Sequence, residues 1–216
     1  MKVGILGTGM VGNSIGSKLV QLGHEVKMGS RTSDNIKATK WVKNNGTTAS
    51  QGTFADATSF GEIIFNCTGG GVSLDVLKMA GNENLRGKIL VDIANPLDFS
   101  KGMPPSLFPD LCNTTSVGEE IQKTFPDVKV VKTLNTVNCL IMVNPSMLSG
   151  DHDMFICGNN EEAKSNVKDI LTSFGWVSIF DLGNISGARG MEMILPLWVR
   201  LYGTFQSPNF NFKVVR

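Results

Sequence analysis

What this sequence is short of limits its chemistry before any motif is considered. Tyrosine occurs once, at Tyr202, and histidine twice, at His24 and His152. No Tyr-x-x-x-Lys pair exists and neither histidine sits in a visible triad, so no catalytic side chain is expected. The four cysteines, Cys67, Cys112, Cys139 and Cys157, form neither a C-x-x-C pair nor a short metal-ligand spacing. They read as buried thiols in a reducing compartment, and no metal site is expected. No apolar run reaches the roughly 18 residues that span a bilayer, and no basic-then-apolar leader precedes the first strand. Membrane partners are thus not expected, and the expected location is cytoplasmic. A formal charge of +1, without a long block of one sign, gives no footprint for nucleic acid.

Glycine, by contrast, is placed where it carries meaning. An apolar strand, Val3-Gly4-Ile5-Leu6, runs directly into Gly7-Thr8-Gly9-Met10-Val11-Gly12, and a helical pattern follows with Ile15, Leu19 and Leu22 on one face. In such a turn the first glycine permits the tight bend, the second lets a pyrophosphate approach the backbone, and the third lets helix and strand pack closely. The phosphates would rest on the free N–H groups at the helix N-terminus. About twenty residues later a second strand ends in Gly29-Ser30-Arg31-Thr32, where NAD-binding chains usually carry a carboxylate for the ribose 2′-hydroxyl. Ser30, Arg31 and Thr32 offer a guanidinium fork between two hydroxyls, a set suited to the 2′-phosphate of NADP(H).

Further along, strands and helices alternate. Helices are expected over 34–45, 54–60, 74–80 and 161–174, and strands at 62–67, 88–93, 128–133, 153–157 and 177–180. Ser116-x-x-Glu119 reads as a capping box. The pattern gives an α/β fold: a Rossmann-type, doubly wound, mostly parallel sheet with a small C-terminal helical and extended segment. The expected division is an NADP-binding domain over 1–150 and a smaller α/β portion over 151–216 that completes the acceptor site. Three strand ends add candidate cofactor contacts: Thr68, Gly69 and Gly70 with Leu74 beyond them; Asn95 and Pro96, the former near a nicotinamide carboxamide; and the run Asn135 to Asn138. The proline-marked stretch 97–115 resembles a long loop or lid. An apolar helix is expected over 186–202, split or kinked at Pro196; its stretch from Met191 to Leu201 is the expected interface of a homodimer, and Phe210 and Phe212 are expected to fold back onto the domain.

The whole length resembles the NADPH-dependent oxidoreductases of the 8-hydroxy-5-deazaflavin coenzyme F420. The resemblance is carried by Gly7 to Gly12, Leu22-Gly23-His24-Glu25, Gly29-Ser30-Arg31, Leu134-Asn135-Thr136, Ile156-Cys157-Gly158-Asn159 and the helix from Arg189 to Arg200. It implies that Thr8 to Val11 hold the pyrophosphate, Ser30 and Arg31 the 2′-phosphate, and Gly70 and Leu74 part of the dinucleotide wall. The deazaflavin would stack near Val137 and Asn138, with Cys139 completing the candidate set. Archaeal members tend to carry His at the position of Asn135 and Pro at that of Asn138, and a family lysine falls here on Asn35, with Lys37 nearby. The implied activity is hydride transfer between NADP(H) and a deazaflavin. Reduction of a flavin, metal chelate, imine or carbonyl is the enzymatic alternative; an NADP(H)-sensing module is the non-enzymatic one.

Overall fold

The computed structural model describes all 216 residues. Its elements run β1 (Lys2–Leu6), α1 (Met10–Gln21), β2 (Glu25–Ser30), α2 (Ile36–Asn45), β3 (Ala49–Thr53), α3 (Phe54–Phe60), β4 (Ile63–Asn66), α4 (Gly70–Ala80), α5 (Asn82–Leu85) and β5 (Ile89–Asp92). The second half continues with β6 (Leu97–Asp98), β7 (Ser106–Leu107), α6 (Val117–Thr124), β8 (Lys129–Thr133), α7 (Cys139–Val143), β9 (Met154–Gly158), α8 (Glu161–Phe174), β10 (Ile179–Asp181), α9 (Ala188–Met193) and α10 (Leu195–Phe205).

Eight strands form one sheet in the order β10-β9-β8-β5-β4-β1-β2-β3. Every pairing is parallel except β8 with β9. The near-continuous apolar runs of β1, β4 and β5 suit strands covered on both faces. Alternation in β1 divides the core: Val3 and Ile5 join one cluster with Ile15, Leu19, Trp41 and Phe174, while Leu6 joins Leu77, Ile121 and Met191 on the other side. The fold is therefore the doubly wound α/β class expected. Strands on both sides of residue 150 belong to the same sheet.

Three local expectations change. The stretch 97–115 is not an open loop, because β6 pairs antiparallel with β7 and the Phe108 N–H donates to the Pro96 carbonyl at 2.8 Å. Only half of the capping box forms: Ser116 Oγ accepts from the Glu119 N–H, but the Glu119 carboxylate turns to the Ser116 hydroxyl and to Arg189. Cys139 and Cys157 are buried thiols, as read, whereas Cys67 and Cys112 are partly exposed. Pro196 lies in the first turn of α10, and the terminal helix is split there into α9 and α10. The tail folds back as expected, with Phe210 stacked 5.0 Å from Trp198 and the Phe212 carbonyl accepting from the Asp153 N–H.

Candidate dinucleotide and acceptor site

Winding changes direction between β1 and β4, and ligands of open α/β sheets bind at such a switch point, beyond the strands' carboxyl ends. Two glycine-led helices start there. At the end of β1, Gly7 takes φ +116°, a conformation costly for any other residue, and a Cβ on it would lie 2.9 Å from the Cys67 carbonyl. Gly12 packs α1 onto this turn so closely that a Cβ would come within 2.2 Å of the Gly7 oxygen. Gly9 differs: its φ of −79° and ψ of −174° suit any L residue, and an added Cβ would meet nothing within 4 Å. The protein itself therefore does not require glycine at 9. The space beside its backbone is left open.

The polar accounting agrees. Side chains cap α2, α3, α6, α7 and α8, through Asn35, Thr53, Ser116, Asn138 and Asn160 respectively. Neither α1, begun at Gly9, nor α4, begun at Gly69, has a side-chain cap. Uncapped first-turn N–H groups with the positive end of a helix dipole make an anion seat. Asn13 braces the α1 loop by donating to the Thr8 and Gly9 carbonyls at 3.1 and 2.9 Å. The Gly70 N–H donates to the Asn95 carbonyl at 3.0 Å, tying α4 to the turn after β5.

A cavity of about 390 Å³ opens beside this seat, lined by Gly7, Thr8, Ser30, Arg31, Thr68 and Val72 among others. Arg31 is exposed and engaged in no ion pair, so its guanidinium is free for a ligand. Ser30 is buried and donates its hydroxyl hydrogen to the Thr32 carbonyl, bending the chain after β2. The one carboxylate on the wall, Asp75, faces Lys78 at 3.5 Å. Leu74 is partly buried on α4 and packs toward the second core cluster.

The turns after β5 and β8 are locked together. Asn95 donates to the Asn135 carbonyl at 2.8 Å, and Asn135 donates back to Asn95 Oδ1 at 2.9 Å and to the Met191 carbonyl at 2.7 Å. One hydrogen of the Asn95 amide, expected to face a carboxamide, is engaged in this clasp, and the residue stays partly exposed. Leu134 adopts φ +62° while fully buried, strain of about 1–3 kcal/mol. Asn135 and Thr136 lie sealed beneath the floor, at 3% and 1% exposure, and the chain surfaces only at Asn138 and Leu140.

Sequence reading missed what supports this floor. Lys132 is fully buried, with its ammonium 2.8 Å from both Asp92 Oδ2 and Glu192 Oε1 and donating also to the Ala94 carbonyl. Burial lowers the lysine's proton affinity, yet the two carboxylates more than offset that and hold its pKa above the ordinary value. Burial pushes Glu192 up, and its carboxylate accepts from the Val117 and Gly118 N–H groups, capping α6 from α9. Asp92 extends the network through Asn66 to Ser73 and Thr68 at the crevice. Lys132 inside a buried strand was the available signal, since such a charge demands partners. Both groups are sealed, so neither the Asp92 carboxylate nor the Lys132 ammonium faces the crevice. His152 is likewise structural: Pro145 O and Asn211 Nδ2 occupy its two ring nitrogens, and it lies edge-on to Trp176.

Comparison with known proteins matches this geometry. Residues 2–96 fit the family model described as NADP oxidoreductase coenzyme F420-dependent. An F420-dependent NADP reductase of Methanocaldococcus jannaschii is 30% identical, aligned over 99% of this chain and 98% of its own. The chain belongs to that reductase family. It is an NADP-dependent oxidoreductase with NADP(H) as its cofactor. Metalloreductase STEAP3 of Rattus norvegicus is 32% identical over the full chain, which spans 43% of that protein. Among solved structures, a provisionally named F420-dependent NADP reductase from Arthrobacter sp. FB24 is 47% identical with TM-score 0.94, each chain covered completely. An imine reductase from Myxococcus stipitatus in complex with NADP+, 16% identical with TM-score 0.69 and covered over 64% of its length, shares the fold. No helix here is long and apolar enough to cross a membrane.

Proposed function

We propose that this reductase moves a hydride reversibly between NADP(H) and a deazaflavin of the coenzyme F420 type. The observation that carries the reading is the pair of uncapped helix starts at the β1/β4 switch point, combined with a crevice whose one carboxylate, Asp75, faces Lys78. The residues fit the dinucleotide. Met10 and Val11 at the start of α1 offer N–H groups to the pyrophosphate, Gly9 leaves room for it, and Arg31 answers the 2′-phosphate with the exposed Thr32 beside it, while the Ser30 hydroxyl, donating to the Thr32 carbonyl, shapes the turn. When bound, NADPH supplies the hydride.

Transfer between two stacked rings asks the protein for orientation and exclusion of water rather than proton shuttling. The Asn95–Asn135 clasp holds the turns after β5 and β8 at a fixed separation, so the wall at Asn138 and Leu140, packed over buried Val137 and Cys139, meets an acceptor in one geometry. Arg189, bidentate on Glu119 at 2.6 and 2.7 Å, and Glu192, on the α6 N–H groups, hold α9 behind that wall. The exposed apolar side chains Met193, Leu197 and Phe205 make α9 and α10 the proposed homodimer surface. The test of function is anaerobic: NADPH should bleach the oxidised deazaflavin absorbance catalytically. NADPH binding without turnover of this acceptor would defeat the reading and favour a flavin, an imine or a sensing role.

A further inference from the structure

Helices α1, α4 and α6 all begin at the carboxyl edge of the sheet. The start of α6 lies there because the Glu192 carboxylate reaches both Lys132, near the end of β8, and the Val117 and Gly118 N–H groups. Whereas α1 and α4 carry no side-chain cap, the first turn of α6 is filled from within the chain by a buried anion. That anion belongs to α9. Two neighbours of Glu192 tie the same helix down: Arg189 pairs with Glu119, and the Met191 carbonyl accepts from Asn135 Nδ2 at 2.7 Å. Beyond them the anchorage thins, since α10 buries only Leu195 and Val199.

Asn135 lies in a turn that does not hold itself. Leu134 before it is left-handed at φ +62°, and such strain persists only where surrounding contacts fix it. Asn135 Oδ1 and Thr136 Oγ1 are buried without a partner in the protein, so the turn's own hydrogen bonds do not settle its shape either. What fixes it comes from outside, Asn95 on one side and the Met191 carbonyl on the other. Three residues after Asn135 the chain surfaces at Asn138. We propose that Glu192 is a positioning residue for the acceptor half of the reaction: its carboxylate on α6 sets α9, the Met191 carbonyl then sets Asn135, and that turn sets the wall at Asn138 and Leu140. The inference deepens the deazaflavin reading and rests on it. The dinucleotide seats at α1 and Arg31, which follow β1 and β2, make none of these contacts.

Glu192→Gln tests it. Both Glu192 oxygens face donors, Oε1 toward Lys132 and the Gly118 N–H and Oε2 toward the Val117 N–H, so either orientation of the amide sets its NH2 against a donor. Asp92 stays paired with Lys132, which spares the fold an unbalanced buried charge. The full chain is assayed anaerobically with NADPH and oxidised 8-hydroxy-5-deazariboflavin. In the variant the deazaflavin KM should rise about tenfold, the cost of a displaced wall, while the NADPH KM stays within about twofold. Asn135→Ala should do the same, and the double variant should be no worse than either alone, because the two residues act in series. An unchanged deazaflavin KM overturns the proposal, as does a lowered kcat with both KM values unchanged, the mark of a smaller folded fraction. An NADPH KM raised equally, effects that multiply in the double variant, or loss of a cooperative thermal melt in Glu192→Gln also overturns it. No reduction of the deazaflavin by the wild type removes the acceptor reading and the proposal together, while wild-type turnover with unaffected variants removes the proposal alone.

Discussion

The crevice mouth at β1/β4 and the ion cluster beneath β5/β8 treat polar groups in opposite ways. At the mouth, two helix starts carry no side-chain cap, although the Gly70 N–H of α4 reaches the Asn95 carbonyl, and the Arg31 guanidinium has no ion-pair partner. Under the floor, all three hydrogens of a buried ammonium are engaged, and the carboxylate beside it caps a helix from another element. Unsatisfied groups cost little when water reaches them and a great deal when it does not. The contrast separates what the protein holds for itself from what it holds out to a ligand.

Substitutions on the two sides should therefore fail differently, and the floor should fail hardest. Lys132→Met leaves the Asp92 and Glu192 carboxylates buried without a cation, a loss of about 3–5 kcal/mol from a total stability of ~5–15 kcal/mol. Urea melts should show a much lower midpoint or an unfolded chain; a melt unchanged from wild type would mean the ion cluster does not support the floor. The glycines sharpen the comparison within one turn. Gly12→Ala should lower both stability and NADP+ affinity, because its Cβ collides with the Gly7 carbonyl. Gly9→Ala should melt like the wild type and still lose NADP+ affinity, since only a ligand occupies that space. Parallel thermal melts and titrations would break the distinction if the two variants behaved alike.

Arg31→Ala should weaken NADPH about ten- to a hundredfold, the worth of a charge-assisted hydrogen bond, and leave NADH unchanged. Steady-state KM values for the two dinucleotides decide it; equal effects would remove Arg31 from the 2′-phosphate site.

The smallest effect concerns the tail. Burial alone would raise the Asp153 pKa, but hydrogen bonds from the Ser178 hydroxyl and Val214 N–H, with the Lys213 charge, bring it below the ordinary value. A depressed carboxylate stabilises the fold above its unfolded pKa of about 3.9. That contribution is lost as pH falls from there through the folded value. Hydrogen exchange at Val214 should stay protected at pH 6 and lose protection below about pH 4, with the sheet amides of β1 unaffected.

The mouth was legible in sequence because its requirements are local. A strand, three glycines and a helix follow one another within twelve residues, and the 2′-phosphate set ends the next strand. The floor was not legible, because Asp92, Lys132 and Glu192 come from three elements and meet only on folding. Asn135 read as an acceptor contact from its place at a strand end, yet the left-handed turn at Leu134 buries it beneath the floor. The edge strand Ala49–Thr53 escaped notice because it is short, polar and interrupted by Gly52. Reversal of β9 left no mark in an apolar run that suits either direction.

Calorimetric titration of the wild-type chain with NADP+ and NAD+ in turn tests the central claim most directly. The open helix ends and free guanidinium predict one dinucleotide per chain, with NADP+ bound at least tenfold more tightly than NAD+. No heat with either, or equal affinities, would contradict it.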